Sequence, residues 1–281
     1  MLSFMYKFRR VCKNLKVSTH KQQKGFTLME LLVVISIIAL LLAILMPTLQ
    51  KAKELARRTV CLSNQRQNGI SLYQYASAWD DRLPPMVLEG PGRGLMNASH
   101  SFFIEFMGPG QWVGVGRLYG TGIITDPKHL YCPSQRSKFF SYPEAWDNFV
   151  YPDILQSRIC GYFYRIFDQP NPPIIPQAEV DYLNNLRYST MKRTMALTAD
   201  IFGTTIWQLA DETWPHQNPL GVNAAYSDGH AKWVRVDEKE RRRAIVAADK
   251  YKYGSDDYCF LFFQALDDGD FSELEKAFHM W

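Results

Sequence analysis

One apolar stretch near the amino terminus constrains this chain more than any other feature. The 21 residues from Phe26 to Met46 include a single charged side chain, Glu30. A helix rises 1.5 Å per residue, so a helix of this length extends about 30 Å, the thickness of the hydrocarbon core of a bilayer. A carboxylate at the centre of such a helix costs about 3 kcal/mol on insertion, and less near an end. The stretch therefore predicts a membrane-spanning helix and leaves Glu30 to be explained.

The positive charge of the chain is concentrated on the N-terminal side of this stretch. Seven basic residues and no acidic residue precede Phe26, whereas 25 basic and 28 acidic residues follow it. Basic flanks stay in the cytoplasm, so we expect a single-pass protein of the inner (cytoplasmic) membrane with its N-terminus inside. The part beyond Pro47 would then be periplasmic or extracellular. Because that part has no basic patch, we expect no nucleic-acid partner.

Four cysteines follow the apolar stretch: Cys61, Cys132, Cys160 and Cys259. In an oxidising compartment they allow three pairings. We expect a disulfide between Cys61 and Cys132, because Cys61 would lie on the long helix and Cys132 would end a loop with little else to hold it. Closing a loop of about 70 residues stabilises the fold by roughly 4 kcal/mol in the chain-entropy model.

Beyond Pro47 the apolar pattern predicts that the helix continues to residue 80, where a cluster of Asp and Pro residues ends it. Residues at spacings of three and four form one row, Leu49, Ala52, Ala56, Val60, Ser63, Gln67 and Ile70, and a second apolar row consists of Leu55, Leu62, Leu72, Tyr73 and Ala76. We therefore predict an α+β fold with a long N-terminal helix over 26–80, transmembrane over 26–46 and amphipathic over 47–80. It would pack on a small antiparallel β-sheet head with long loops at 81–237, followed by a C-terminal helical extension at 238–281.

The residues around Glu30 resemble a known processing signature. The order Lys24-Gly25-Phe26-Thr27-Leu28-Met29-Glu30, followed by the apolar span and Pro47, is similar to the N-terminus of type IV pilins and type II secretion pseudopilins. The resemblance implies a pilin-like fold and a structural subunit, not an enzyme. A prepilin peptidase would cut after Gly25 and methylate Phe26, so that residues 1–25 form a cytoplasmic leader peptide. Its other partners would be inner-membrane lipid and further pilin or pseudopilin subunits, in a homo- or heteropolymer.

The resemblance also gives Glu30 a role in assembly. Cleavage creates an ammonium group at Phe26, about one turn from the Glu30 carboxylate, and each charge needs a partner in a low dielectric. In this superfamily the glutamate is understood to meet the N-terminal amine of a neighbouring subunit in the fibre. The sequence shows no other partner for Glu30 within the span. The alternative is a carboxylate that reaches the headgroups at the cytoplasmic interface.

Two further motifs are similar to a pilin-like group named for a C-terminal H-x9-DG motif. They are Leu130–Ser134 and Val222–His230, and the stretch Cys61–Tyr75 of the long helix is similar to the same group. Eleven residues rather than nine separate His216 from Asp228. Val222–Tyr226 and Ala231–Val236 predict a β-hairpin that turns at Asp228-Gly229.

Turn chemistry alone is one explanation of Asp228-Gly229. The other is a Ca²⁺ site formed by Asp200, Asn223 and Asp228, with His216 or a backbone carbonyl as a further ligand. Calcium is the one cofactor that the sequence suggests, and none is required.

The main alternative function is a membrane-anchored extracytoplasmic ligand-binding module that does not polymerise. The sequence contains neither His-Glu-x-x-His nor Gly-x-Ser-x-Gly, so these two enzyme motifs give no support for catalysis.

We predict cleavage between Gly25 and Phe26 with N-methylation of Phe26. Gly25→Ala should still be cut, whereas a bulky residue such as tryptophan at position 25 should block cleavage. N-terminal sequencing and the intact mass of protein from its native membrane test this. A mature protein that begins at Met1 or Leu2 would contradict the prediction.

Overall fold

The computed structural model describes residues 25–86, 103–105, 108–147, 157–165, 187–191, 194–201, 214–217, 219–239 and 256–271. The chain forms two compact units, Met1–Leu49 and Gln50–Trp281. Most of the predicted leader peptide lies outside the described residues. So does the last short helix that the sequence predicts from Ser272-Glu273-Leu274-Glu275.

The long helix α1 spans Leu28–Ala78 and contains Pro47. Its bounds agree with the predicted 26–80 to within two residues. The apolar side chains of its first part are exposed, and the described part of the chain contains one helix, α1, that is long and apolar enough to cross a membrane. Ser36 and Thr48 donate their hydroxyls to the carbonyls of Leu32 and Leu45, at 2.7 and 2.8 Å. The two hydroxyls are thereby satisfied inside the helix.

The fold is α+β, with the long apolar helix followed by an antiparallel β-sheet head. A small two-stranded sheet pairs β1 with β2, and a five-stranded sheet has the order β3-β4-β6-β5 with β7 also paired to β6. The strands are β1 (Phe103–Glu105), β2 (Arg158–Ile159), β3 (Tyr162–Tyr164), β4 (Ala196–Asp200), β5 (His216–Gln217), β6 (Leu220–Tyr226) and β7 (Ala231–Arg235). The short helices are α2 (Gly116–Gly120) and α3 (Glu144–Asp147), and the C-terminal helix is α4 (Asp256–Asp268).

The β6–β7 hairpin forms where the sequence predicts it. Gly229 has φ of 86°, a conformation that glycine adopts without strain. The hydrogen bond from Tyr226 N to His230 O, at 2.9 Å, closes the turn. The Asp-Gly dipeptide is thus explained by the backbone geometry of the hairpin.

The buried face of α1 includes Leu72 and Ala76 of the second predicted row but not Val60 and Ile70 of the first. Val60 and Ile70 are 51% and 45% exposed, whereas the buried face carries polar residues, among them Gln65 and Asn68. Gln65 accepts a hydrogen bond from Thr198 Oγ1 at 2.6 Å and donates to Asn223 O at 3.4 Å. Polar side chains can be buried when such bonds are made, so apolar periodicity alone did not identify the whole buried face.

The C-terminal helix α4 belongs to the core of the head. Phe262, Phe263 and Leu266 are buried in the same apolar cluster as the strands. Asp267 accepts two hydrogen bonds, from Ala196 N at 2.6 Å and from Arg165 Nη1 at 2.7 Å. This part of the predicted C-terminal extension therefore packs on the sheet and supplies the acceptor for Ala196 N on β4.

We predict that Asp267→Ala lowers the free energy of unfolding by about 3 kcal/mol, because it leaves the buried Arg165 guanidinium without its carboxylate. Asp268→Ala is the matched control, since the neighbouring Asp268 is exposed. Urea denaturation of the detergent-solubilised protein, followed by tryptophan fluorescence, measures both. Equal midpoints for the two variants would contradict the assignment.

Candidate functional site

The first turn of α1 is closed by reciprocal hydrogen bonds between Thr27 and Glu30. Glu30 Oε2 accepts from Thr27 N and from Thr27 Oγ1, each at 2.9 Å, and Glu30 N donates to Thr27 Oγ1 at 3.2 Å. This arrangement is a capping box, in which two otherwise unpaired donors at a helix start are satisfied.

The capping box corrects the expectation that Glu30 has no partner within the span. Its partner is Thr27, three residues earlier in the same chain. The Thr-x-x-Glu spacing is a recognised start of a helix, so the sequence contained the information. Glu30 is therefore both the one charged residue of the apolar stretch and part of the cap at the start of α1.

The two residues at the predicted cleavage point are accessible. A Cβ added to Gly25 would meet nothing within 4 Å, and Phe26 is 83% exposed. No contact within the described chain requires a glycine at position 25. Any requirement for a small residue there is imposed by whatever binds this segment.

A comparison with known families supports this reading of the segment. Residues 20–46 match the prokaryotic N-terminal methylation motif, which here includes Gly25, Phe26 and Glu30. The chain thus carries a prepilin-type motif, and the motif implies processing by a prepilin peptidase and association with other pilin subunits. No curated protein and no solved structure gives a significant match to the chain.

A second set of functional side chains lies buried in the head. Cys61, Cys132, Asp200 and His216 each place one metal-ligating atom in a group whose members all lie within 4.8 Å of one another. Cys61 comes from α1, Asp200 ends β4, and His216 begins β5. We call these four residues the buried cluster.

The two cysteines of the predicted disulfide both belong to the buried cluster, and both are free thiols in the structure. The disulfide stays a prediction. Cys160 is also a buried free thiol, and it donates to Tyr162 O at 2.9 Å. The side chain of Cys259 lies outside the described residues.

The structure brings together two of the three residues predicted to bind calcium. Asn223 donates to Asp200 Oδ2 from its backbone N at 2.6 Å and from Nδ2 at 3.1 Å. Asp228 lies in the hairpin turn instead, where it accepts from His230 N at 3.1 Å and contacts His230 Nδ1. Calcium binding stays a prediction. Asp228 forms its contacts within the hairpin turn and not with Asp200 and Asn223.

The contacts inside the buried cluster are short. The Cys61 thiol donates to Asp200 Oδ1 at 2.8 Å. His216 Nε2 lies 3.4 Å from both Cys132 Sγ and Asp200 Oδ2. Sequence reasoning assigned the cysteines to a disulfide and the aspartate to calcium, and it missed that they form one group. The cysteine, aspartate and histidine positions are far apart in sequence, so no spacing motif could have joined them.

Burial and mutual contact shift the titration of these groups in different directions. Burial raises the pKa of Asp200. Burial also opposes protonation of His216, but the hydrogen bond with Cys132 and the charge of Asp200 raise the His216 pKa to about 9. Burial raises the pKa of Cys61 well above its usual value. Burial opposes ionisation of Cys132 too, yet hydrogen bonds from Cys61 and His216 lower the Cys132 pKa.

We predict that Thr27→Ala and Glu30→Ala each loosen the start of α1 by about 1 kcal/mol, because each removes the capping box. Glu30→Gln should leave it intact, since glutamine fills the same position of a capping box. Hydrogen exchange of residues 27–32 in nanodiscs, read by mass spectrometry, measures the difference. Wild-type exchange rates in Glu30→Ala would show that the box does not stabilise this turn.

Proposed function

We propose that this chain is a prepilin or pseudopilin that is cut after Gly25 and assembled into a fibre, either a type II secretion pseudopilus or a type IV pilus-like fibre. The observation that carries the proposal is the methylation motif at residues 20–46. The motif covers the start of α1, whose apolar side chains are exposed among the described residues. The Leu130–Ser134 and Val222–His230 motifs support a place in the H-x9-DG pilin-like group.

Before assembly, lipid of the inner membrane covers the apolar part of α1, with the N-terminus in the cytoplasm and the head outside. In the fibre, the same surface packs against the helices of neighbouring subunits. Both environments are apolar, so transfer between them changes little hydrophobic free energy. A specific polar contact is therefore needed to favour the fibre.

Glu30 is suited to supply that contact. In the isolated subunit the capping box with Thr27 satisfies one of its carboxylate oxygens, Oε2. A carboxylate offers about four acceptor sites, so it can accept further hydrogen bonds without breaking the box. In the fibre Glu30 would accept from the methylated amine of Phe26 in a neighbouring subunit. The capping box then holds the Glu30 carboxylate in position, and the negative charge of the carboxylate attracts the amine of the neighbouring subunit.

We predict that Glu30→Gln and Glu30→Ala are both cleaved and inserted normally but enter fibres poorly. Glu30→Gln is the sharper variant because it keeps the capping box and removes only the charge. Thr27→Ala is its counterpart, since it removes the box and keeps the charge, and we expect it to enter fibres better than Glu30→Gln. Immunoblots of sheared surface fractions and of membranes measure incorporation and insertion.

Two results would contradict the proposal. One is a Glu30→Gln variant that enters fibres as well as wild type, which would refute the charge pairing. The other is an uncut N-terminus together with monomers after cross-linking in the native membrane, which would favour the anchored ligand-binding module.

A further inference from the structure

We propose that Cys61, Cys132, His216 and Asp200 form a tetrahedral site for a divalent metal ion of the zinc class in the head. The two sulfurs, the Nε2 atom of His216 and one carboxylate oxygen of Asp200 would be its ligands. This site is separate from the N-terminal segment and does not depend on fibre assembly.

The dimensions of the buried cluster suit such an ion. Zinc bonds of about 2.3 Å to sulfur and 2.0–2.2 Å to nitrogen or oxygen place tetrahedral ligand atoms about 3.3–3.8 Å apart. His216 Nε2 is 3.4 Å from Cys132 Sγ, and one ligand atom from each of the four residues lies within 4.8 Å of the others. The contact between Cys61 Sγ and Asp200 Oδ1, at 2.8 Å, needs to open slightly. Side-chain adjustments of this size leave the strands in place.

The hydrogen bond between His216 and Glu54 has the arrangement that metal-binding histidines usually show. Glu54 Oε1 lies 2.9 Å from His216 Nδ1 and also accepts from Ser134 Oγ at 2.9 Å. An imidazole that donates from Nδ1 to a carboxylate presents the lone pair of Nε2 to its other side. That side of His216 faces Cys132 and Asp200, and the Asn223 amide, whose Nδ2 lies 3.1 Å from Nε2, would turn away when an ion binds. Glu54 therefore fixes both the tautomer and the direction of the ligand.

The Asp200 carboxylate is held in a comparable way. Both donors of Asn223 bind Oδ2, which leaves Oδ1, the atom nearest Cys61, for an ion. Asn223 Oδ1 is itself buried and has no hydrogen-bond partner among the described residues. A hydrogen-bond donor such as Asn223, which binds a ligand residue and not the ion, lowers the free-energy cost of bringing three anionic ligands together.

A metal-free arrangement accounts for fewer of these groups. A protonated His216 between Glu54 and Asp200 would balance their charge. The two buried thiols would then act as weak hydrogen-bonding groups beside Asp200 and His216. Calcium fits the same place less well, because it takes six to eight oxygen ligands. Two sulfurs and one imidazole nitrogen favour a softer ion.

The buried cluster borders a surface cleft at Cys132, and a bound ion would have a structural effect in the head. A surface cleft of about 400 Å³ is lined by Cys132, Tyr131, Asn64 and Val60, among others. The ligands come from α1, the segment after Leu130, β4 and β5, so one ion would tie four parts of the head together. Its binding free energy would add to the stability of the fold.

The test is cobalt titration of the full-length, reduced, metal-free protein in detergent. Wild type should bind about one Co²⁺ with a near-ultraviolet thiolate-to-cobalt charge-transfer band, because both sulfurs are ligands. Added Zn²⁺ should displace the cobalt and abolish the band. Cys132→Ala should lose most of the band, whereas Cys160→Ala, which removes a buried thiol outside the cluster, should keep it. Glu54→Gln should weaken affinity about 10–100-fold.

Three outcomes would overturn the proposal. The first is wild-type protein without a thiolate band, a result that requires no variant and is independent of any folding defect. The second is an undiminished band in the Cys61→Ala/Cys132→Ala double variant. The third is a Cys61–Cys132 disulfide, found by non-reducing peptide mapping of protein alkylated in its native membrane. That last result would establish the disulfide predicted from the sequence.

Discussion

The head depends on polar contacts between the later part of α1 and the five-stranded sheet. Gln65 bridges β4 and β6 through Thr198 and Asn223 O, and Cys61 contacts Asp200 at the end of β4. A neutral hydrogen bond adds only about 1 kcal/mol net, but an unsatisfied buried partner costs about 1–3 kcal/mol. Shifting α1 by one residue along the sheet would break all of these bonds at once. The contacts therefore specify the position of the helix more than they increase its stability.

The sequence predicts local structure well where one short-range rule decides it. The bounds of α1 follow from its helix-compatible residues and the Asp-Pro cluster after it, and the β6–β7 turn follows from the backbone freedom of Gly229. The capping box could also have been predicted from Thr27 and Glu30. In each case the deciding residues are within a few positions of one another, so tertiary context adds little.

Prediction fails where buried polar groups decide the outcome. The apolar row through Val60 and Ile70 lies outward because Gln65 and Asn68 find partners on the sheet and in the loop at His129. Asp200 could be predicted to end a strand, but its neighbours could not be predicted, since Cys61 is 139 residues away in sequence. Such pairings depend on how the sheet and helix pack, which neither spacing nor composition specifies.

The place of α4 in the core has a consequence for the order of events during synthesis. The acceptor for Ala196 N on β4 is Asp267 of α4. The same helix supplies Phe262 and Phe263 to the apolar cluster. The head therefore cannot finish folding on the ribosome until residues 256–268 have emerged. By then the apolar part of α1, more than 200 residues earlier in the chain, has long been available to the translocation machinery. Late closure of the core would leave the head incompletely folded for as long as it had to pass through a membrane.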